Sequence, residues 1–452
     1  MAVRNENLNP DKFRDALGTV NQDGKRHWVF PKKVSGKFYQ YRTYFSWLLL
    51  GILFAGPFIK VDGRPWLLFN VFERKFIIFG AVFWPQDTHL LIFLLLIFFV
   101  FIILFTVVFG RVFCGWACPQ TLFMEMVFRK IEYWIEGDAS QQRKLDAMPW
   151  NAEKIRKKSI KMFIFVLISL LISHTVMAYL IGVDEVKEIV TSSPVDNLAG
   201  FFGLLAFTGI FLFVFSWFRE QACIVVCPYG RLQGVLLDNQ SINVTYDYKR
   251  GEPRAPIRKK KVEEKPIRNG IQMECVNCTA CMDACDDVME KVDRPKGLIR
   301  YASENSILTG TSKLITGRVK AYSGILLLLI VGFVALLATR DDLGATVTRF
   351  RGMTYQAREG AQISNLYEVT LINKTFDEQE VTLVPNDPTF TLEKVGHTDW
   401  HLEGQSKFEG RFFLVKNQKD MKVPQQNVEL LLQQNGETID RISTSFMGPV
   451  AE

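Results

Sequence analysis

Long runs of uncharged, apolar residues recur five times along the chain. They lie between Arg42 and Lys60, Asp87 and Arg111, Lys161 and Asp184, Asp196 and Arg219, and Lys320 and Arg340. Each approaches the roughly 17 to 25 residues that a helix needs to cross about 30 Å of hydrocarbon. The stretch from Leu90 to Phe109 is apolar on every side, whereas a helix of a soluble protein keeps a polar stripe. The pattern therefore predicts five transmembrane helices, the first of which is short and contains Gly56 and Pro57.

A second pattern replaces the first after about Arg349. Segments such as YEVTLINKT, QEVTLVP and RFFLVKN alternate apolar and polar residues, and Asn, Asp, Pro and Gly separate them. Alternation with a period of two is typical of half-buried strands. Roughly 100 residues of such short strands predict a small β-sandwich. The expected fold class is an α-helical polytopic membrane protein with a C-terminal β-domain.

The two patterns divide the chain into five parts. They are an N-terminal arm (1–42), a four-span membrane domain (43–219), a segment with a charged linker and a cysteine run (220–320), a fifth span (321–339) and the β-domain (340–452). The linker is Lys249 to Arg268. Glu125 to Gly137 reads as a short amphipathic helix lying on the membrane, with its apolar side chains facing lipid, namely Met126, Phe128, Ile131, Trp134 and Ile135.

Charge predicts the orientation. The arm, the loop from Arg111 to Lys161 and the segment from Arg219 to Lys320 are rich in Lys and Arg, so they are expected on the cytoplasmic side. Residues 341–452 carry 11 Lys and Arg against 17 Asp and Glu, in a chain of net charge +7. We therefore expect a cytoplasmic N-terminus and a β-domain on the outer side of the membrane. Anionic lipid accounts for the basic side, so no nucleic-acid partner is expected.

All eight cysteines fall in spaced groups. Cys275, Cys278, Cys281 and Cys285 form the C-x2-C-x2-C-x3-C run of bacterial ferredoxins, which we call the ferredoxin run. Its closely spaced thiolates can each reach a different iron of one [4Fe-4S] cluster. Zinc sites more often use two separated C-x2-C pairs, so the spacing favours an iron-sulfur cluster over zinc.

The other four cysteines form two copies of one motif, C-x3-C-P. Cys114 and Cys118 precede Pro119, and Cys223 and Cys227 precede Pro228. Each copy follows a predicted span on the cytoplasmic side. The i, i+4 spacing predicts both sulfurs on one helical face, ended by the proline. We call these the membrane cysteine motifs and interpret them as a functional site, against the alternative that the thiols only pack.

The sequence also resembles a known family over nearly its whole length. The matching strings include PKKVSGKFYQYRT, VFGRVFCGWACPQTLFMEMVFRKIEYWIEGD, CPYGRLQGVLLD, MECVNCTACMDACDDVMEKVDRPKGLIRY and ISTSFMGP. They are similar to the FixG/RdxA/CcoG family of cytochrome cbb3 oxidase accessory proteins. The resemblance implies a bacterial inner-membrane ferredoxin that reduces Cu(II) to Cu(I), with copper as substrate, and a C-terminal immunoglobulin-like domain that the predicted orientation places in the periplasm. It also implies cbb3-type cytochrome c oxidase or its copper-delivery factors as partners, and it leaves the electron donor unknown. For the oligomeric state of this chain, a homodimer is one alternative.

This chain departs from the family in its clusters. Most members carry two ferredoxin runs, but Arg250 to Gly270, where the first should lie, contains no cysteine. The fourth cluster ligand is therefore either Cys285, completing one local cluster, or Cys118 or Cys227 at the membrane edge. Eight cysteines would also suffice for two clusters. A single local cluster is the expectation, because it needs less long-range ordering.

Three residues near the outer side are further metal candidates. His89 opens the second predicted span, and His174 and Met177 lie on one face of the third. Imidazole and thioether suit copper, and a haem held by the histidines is another reading, beside plain hydrogen bonding between helices. Two alternatives to cupric reduction also stay open. One is a NapH/NosR-type ferredoxin that passes electrons between quinol and a respiratory reductase, and the other is a non-enzymatic assembly scaffold.

Overall fold

The fold is described from a computed structural model that covers residues 26, 28–61, 63–251, 275–340, 342–375, 377–396, 400–404, 406–421, 423–434 and 436–449. The chain forms two compact units, Met1–Phe333 and Val334–Glu452. Most of the predicted arm 1–42 and nearly all of the linker Lys249 to Arg268 lie outside the described residues. The same holds for nearly all of the cysteine-free stretch Arg250 to Gly270.

The first unit is mainly helical. Its α-helices, the last of which runs into the second unit, are α1 (Lys37–Ala55), α2 (Thr88–Phe109), α3 (Val112–Trp116), α4 (Pro119–Leu122), α5 (Arg129–Ile135), α6 (Ala139–Ala147), α7 (Ala152–Ile181), α8 (Val183–Thr191), α9 (Leu198–Phe213), α10 (Pro228–Leu236), α11 (Tyr248–Gly251), α12 (Ala280–Lys291), α13 (Glu304–Thr309) and α14 (Gly317–Ala338). Three π-helical segments join them: Phe123–Phe128, Val214–Phe218 and Ala222–Val226.

Four of the described helices are long and apolar enough to cross a membrane. They are Thr88–Phe109, Ala152–Ile181, Leu198–Phe218 and Gly317–Ala338. They correspond to four of the five predicted runs and make this a membrane protein. The first run forms α1, which is not one of the four and buries Arg42 against the rest of the unit. A fifth span therefore stays a prediction.

Aromatic rings form the centre of the helical unit. Phe128 is fully buried, and its ring centroid lies 4.7 Å from that of Phe165 on α7 and 4.8 Å from that of Phe215. The predicted surface helix Glu125 to Gly137 is therefore wrong in its placement. Met126 and Phe128 are 4% and 0% exposed, because this segment is wedged between the spans. Within it only Trp134, at 78% exposure, has the openness expected of a lipid-facing residue.

Three small sheets complete the first unit. Their strands are β1 (Lys60–Val61), β2 (Arg64–Pro65), β3 (Leu67–Asn70), β4 (Lys75–Ile78), β5 (Ala81–Phe83), β6 (Asn243–Tyr246) and β7 (Ile299–Ala302). β1 pairs with β2, and β3, β4 and β5 form an antiparallel meander between α1 and α2. β6 and β7 pair antiparallel on either side of the ferredoxin run. This last pair positions the cysteine loop.

The second unit is the predicted β-domain. Its strands are β8 (Leu343–Arg349), β9 (Gln356–Arg358), β10 (Gln362–Asn373), β11 (Gln379–Glu380), β12 (Thr382–Pro385), β13 (Phe390–Val395), β14 (His401–Leu402), β15 (Lys407–Asn417), β16 (Gln425–Gln434) and β17 (Glu437–Met447). One sheet has the order β13-β15-β10-β8, with β9 beside β10, and another has the order β12-β16-β17. Val428, Leu430 and Leu432 alternate with exposed or half-buried neighbours and enter the shared core. The strands begin at Leu343, slightly before the predicted change of period.

Candidate iron-sulfur and cysteine site

The two membrane cysteine motifs have the same backbone. Cys118 and Cys227 are extended, with φ, ψ of −64°, 124° and −68°, 111°, and each precedes a proline that starts a helix. Proline suits the first helical position, where its missing N–H leaves no hydrogen bond unmade. In each motif the N–H of the second cysteine donates to a carbonyl five residues earlier, at 2.9 Å. The predicted continuous helical face is thus wrong, because the helix ends before the second cysteine.

The two membrane cysteine motifs also have the same backbone turn before them, at the end of each span. Gly110 stands four residues before Cys114, with φ 56° and ψ −132°, and Arg219 stands four residues before Cys223, with φ 49° and ψ −119°. This left-handed conformation favours glycine. The same order of structures therefore occurs twice in the chain: a span, a sharp turn, a short helix, an extended cysteine and a helix that begins with proline.

The four membrane thiols lie close to one another. The thiol of Cys223 interacts electrostatically with those of Cys118, Cys114 and Cys227. Burial raises the pKa of Cys114 to about 11 and that of Cys223 to about 12. The amide of Gln233 lies 3.3 Å from the Cys114 sulfur. Without a metal the thiols of Cys114 and Cys223 are therefore held in the neutral form, and a metal that binds these two must displace protons.

The ferredoxin run leads into α12. Cys275 and Cys278 lie on the loop before this helix, Cys281 in its first turn and Cys285 one turn later. The thiol of Cys281 interacts with those of Cys278 and Cys275, and burial raises its pKa to about 12. Cys281 and Cys285 are four residues apart on one helix, a spacing that places side chains on the same face.

The loop backbone is shaped by two left-handed residues. Asn277 has φ 53° and Thr279 has φ 65°, and both are buried. The Asn277 side chain accepts from the N–H of Val244 and donates to Asn243, which ties the loop to β6. Alternation of left-handed with ordinary residues forms the concave N–H arrangement found at many iron-sulfur sites. Two thiols on such a loop, together with that of Cys281 in the first turn of α12, fit a cluster in both donor chemistry and backbone.

The ferredoxin loop lies directly on the first membrane motif. A Cβ atom at Gly115, between Cys114 and Cys118, would stand 2.3 Å from the Val276 carbonyl oxygen and 2.9 Å from the carbonyl carbon of Asn277. The Trp116 indole donates to the Tyr301 hydroxyl at 3.1 Å, which in turn donates to the Asn277 carbonyl at 3.2 Å. The two cysteine groups are therefore packed together and not merely on the same side of the membrane.

Arg111 is a buried cation of the site. Its guanidinium is close enough to the thiols of Cys114, Cys227 and Cys275 to interact with their charges. It donates to the carbonyl of Gly230 at 2.7 Å and to that of Cys275 at 3.4 Å. A fixed positive charge among thiolates offsets part of their repulsion. Arg111 was not among the sequence candidates, although it directly ends the second apolar run.

A network of buried ion pairs joins the segments that flank the two membrane cysteine motifs. Arg219 is 2% exposed and pairs with Glu132 on α5, while Lys161 on α7 lies 2.8 Å from Glu136 and 3.5 Å from Glu132. Arg129 pairs with Glu220 just before the second motif. Buried charges are tolerated when they are paired in this way. The network connects the helix after the first motif with the turn before the second.

Among the described residues, no three His, Cys, Asp or Glu side chains converge as a ready site for a single metal ion. A [4Fe-4S] cluster has a different requirement, because its four thiolates bind four separate irons. The membrane thiols are thus neighbours, but they do not converge closely enough to form a ready site for a single metal ion. The structure brings all four membrane cysteines together and sets the ferredoxin run beside them.

Comparison with known proteins agrees with this reading. A model described as "4Fe-4S binding domain" matches residues 91–137, and one described as "4Fe-4S dicluster domain" matches 218–266 and 264–304. A third, "IG-like fold at C-terminal of FixG", matches 333–449. Protein RdxA of Cereibacter sphaeroides is 33% identical over 390 residues, covering 78% of this chain and 81% of the relative. The chain belongs to the FixG/RdxA family.

Other members of the FixG/RdxA family are similarly related. Nitrogen fixation protein FixG of Rhizobium meliloti is 28% identical over 459 residues, covering 88% of this chain and 86% of the relative. A crystal structure of a FixG-related protein from Vibrio parahaemolyticus covers 24% of this chain and 97% of that chain, with 20% identity and a TM-score of 0.21. The family models and the match to RdxA confirm the predicted family, the iron-sulfur class and the immunoglobulin-like domain. This is an iron-sulfur electron-transfer protein, and all eight of its cysteines lie in the segments that match the 4Fe-4S models.

The outer candidates lie apart from the cysteines. His89 is exposed at the start of α2, and the His174 Nδ1 is 2.7 Å from the Leu170 carbonyl one turn earlier on α7. Met177 is buried in a small apolar cluster with Ala178 and Val186. These contacts fit ordinary helix packing. A copper or haem site at these three residues stays a prediction.

Proposed function

We propose that this protein reduces Cu(II) to Cu(I) at the membrane, for assembly of a cbb3-type cytochrome c oxidase. The observation that carries the proposal is the packing of the ferredoxin loop on the first membrane motif at Gly115. An electron held by the run would thereby lie next to four thiols whose soft sulfur prefers Cu(I) over Cu(II). The oxidase or its copper-delivery factors would receive the product.

The chain's own residues have distinct tasks in this proposal. Cys275, Cys278 and Cys281, with Cys285 or a membrane cysteine as fourth ligand, would hold a [4Fe-4S] cluster, which supplies one-electron transfer when bound. Arg111 would balance thiolate charge between the two groups. The raised pKa values of Cys114 and Cys223 mean that these thiols give up protons as copper binds, so copper capture would weaken as pH falls.

The number of clusters follows from how the membrane thiols are used. If Cys285 closes a local cluster, the membrane cysteines are free for copper and the chain holds about four irons. If they serve clusters themselves, as the match of a dicluster model to 218–266 supports, the chain holds about eight irons. Copper would then bind elsewhere, and the outer residues His89, His174 and Met177 would be the first candidates.

One pair of variants separates these arrangements. Cys118→Ser and Cys227→Ser each remove a soft ligand, so both should abolish Cu(II) reduction under anaerobic conditions. Iron per chain should stay unchanged if the motifs bind copper, and should fall by about half or more if they bind a cluster. Cys275→Ser is the matched control, because it should lose iron in either case. Full iron and full cupric reduction in both membrane variants would contradict a functional role for the motifs.

The proposed orientation places both cysteine groups in the cytoplasm and the β-domain in the periplasm, at the inner membrane. Excess Lys and Arg in the segments around the motifs supports this sidedness. Under this orientation an impermeant reagent would reach a cysteine introduced at Asp399 from the periplasm, but Asp399 lies outside the described residues. Thr391 on β13 is exposed and described, so it is the better position for an introduced cysteine.

The quinol-linked ferredoxin is the second candidate, and a specific observation favours it. A large aromatic cavity adjoins the first membrane motif, where a lipid-soluble electron carrier could dock. A scaffold without redox activity is the third candidate, and the missing ferredoxin run is its main support. Measuring iron and acid-labile sulfide in purified protein distinguishes the scaffold from both redox candidates.

A further inference from the structure

A cavity of about 530 Å³ lies in the helical unit beside the membrane cysteine motifs. Every residue that lines it is apolar or aromatic: Phe45, Phe98, Phe101, Ile102, Phe105, Val112, Phe113, Trp116, Ala117 and Tyr229. Phe98 and Phe101 belong to the spanning helix α2 and are 54% and 52% exposed. The cavity is therefore accessible from the depth of the hydrocarbon, and its occupant must be lipophilic.

The cavity wall reaches both cysteine groups through hydrogen bonds. On one side the Tyr229 hydroxyl lies 2.7 Å from that of Thr106 and also bonds to Gln233, whose amide lies 3.3 Å from the Cys114 sulfur. On the other side Trp116 donates to Tyr301, as described above. The cavity wall is thus joined to a thiol of the first membrane motif on one side and to the backbone of the ferredoxin loop on the other, and a groove that merely contacts lipid needs neither connection.

Size and shape narrow the class of ligand. Small-molecule sites in proteins commonly measure 300 to 1,000 Å³ and are mostly apolar with a few placed polar groups. Six of the ten lining residues carry a Phe or Trp ring and a seventh is Tyr229, and aromatic side chains stack well on a flat ring. A flat, lipid-soluble redox carrier meets these conditions, whereas an acyl chain makes no use of the rings or of the hydroxyl.

We propose that this aromatic cavity binds the ring of an isoprenoid quinol, which is the electron donor of the protein. The inference rests on the proposed function, for which it names the missing donor. The reaction balances without another reactant. One quinol becomes quinone and loses two electrons and two protons; the electrons reduce two Cu(II) ions to Cu(I), and the protons enter the water at the cysteine side of the membrane.

Binding is tested with a photoreactive azido derivative of a short-chain benzoquinone, on the full-length protein in phospholipid nanodiscs. Saturable labelling is expected in peptides that carry Phe98 to Ala117 or Tyr229. Ile102→Trp fills the cavity and should lower the affinity at least about tenfold, or about 1.4 kcal/mol. Leu96→Trp is the matched control. It makes a similar change on the same helix, six residues away and so about 120° around the helix axis, at a position that does not line the cavity.

Photolabelling tests quinone binding by itself, independently of Cu(II) reduction. Labelling that spreads over all spans and is unchanged by Ile102→Trp would overturn the proposal and leave the cavity to lipid acyl chains. Phe101→Ala guards against misfolding of the filled variant, because it enlarges the cavity and should also weaken labelling while iron content stays at the wild-type level. Cavity labelling by the probe that excess unlabelled short-chain quinol does not displace would overturn the proposal as well.

A second assay keeps this inference distinct from the proposed function. Cu(II) reduction is measured once with a short-chain quinol and once with a water-soluble low-potential dye. The proposal expects Ile102→Trp to lose the quinol-driven rate and to keep the dye-driven rate. If wild-type protein reduces no copper from the dye, the cupric reductase fails, while quinone binding is judged by the labelling alone. Dye-driven reduction without any quinol-driven reduction would overturn the quinol as donor.

Discussion

Replacing Gly115 with alanine tests the contact on which the account of the site depends. The added Cβ would stand 2.3 Å from the Val276 carbonyl oxygen, so this backbone atom must retreat by about 0.7 Å to reach even a 3.0 Å contact, a distance that real Cβ atoms rarely undercut. Overpacking of this kind costs about 1 to 3 kcal/mol. The gain in helix propensity from glycine to alanine offsets at most about 1 kcal/mol. Because the atoms that the Cβ would meet are backbone atoms, the cost lies in the upper part of that range, and we expect the docked loop to lose about 1 to 2 kcal/mol.

Hydrogen–deuterium exchange of the loop measures this loss directly. A local destabilisation of one to two kcal/mol should speed exchange in peptides covering Val276 to Thr279 by about 5- to 30-fold. Gly209→Ala is the matched control, because nothing lies within 4 Å of a Cβ at that position; it should leave loop exchange unchanged. Cu(II) reduction should fall in Gly115→Ala, and iron content should not. Wild-type exchange in Gly115→Ala would refute the direct packing of the loop on the motif.

Three further results are expected. Arg219→Met breaks a buried ion pair with Glu132 and should lower the free energy of unfolding by roughly 3 to 5 kcal/mol, seen as a lower thermal midpoint in detergent. Arg219→Gly should lose less stability, because glycine suits the left-handed backbone there. Equal losses in the two variants would argue against backbone strain at this position. In the metal-free protein the pKa values of Cys114 and Cys223 are raised from 9.0 to about 11 and about 12. Since the thiolate is the nucleophile, both should react with iodoacetamide at pH 8 about 100-fold or more slowly than after unfolding, and the rate should rise with pH. A fast reaction at pH 8 would contradict their burial. A cysteine introduced at Thr391 should be labelled by an impermeant maleimide on intact cells, and labelling only after lysis would reverse the proposed orientation.

The sequence could predict features that repeat or that depend on local spacing. The four apolar helices, the strand alternation after about Arg349 and the grouping of all eight cysteines were readable because each follows from a period or a motif. The meeting of the two membrane motifs was suggested by their symmetric placement at span ends. The structure adds the matching left-handed turns at Gly110 and Arg219, which the sequence conceals because one of them is not glycine.

Features that depend on distant pairs could not be read in this way. Nothing in the sequence links Gly115 to Val276 or Arg219 to Glu132, which are 161 and 87 positions apart. The segment from Glu125 to Gly137 was misplaced for the same reason. Its charges look solvent-exposed until Arg129, Glu132 and Glu136 find partners on other helices, and pairing is what permits their burial.

The most direct test of the central claim is a single anaerobic mixing experiment. Purified protein is reduced, freed of excess reductant and mixed with Cu(II) in the presence of a Cu(I)-specific chelator, while the electron paramagnetic resonance signal of the reduced iron-sulfur centre is followed. We expect the signal to disappear as Cu(I) forms, with one Cu(I) for each electron lost. A reduced signal that persists in the presence of Cu(II), with no Cu(I) captured, would contradict it.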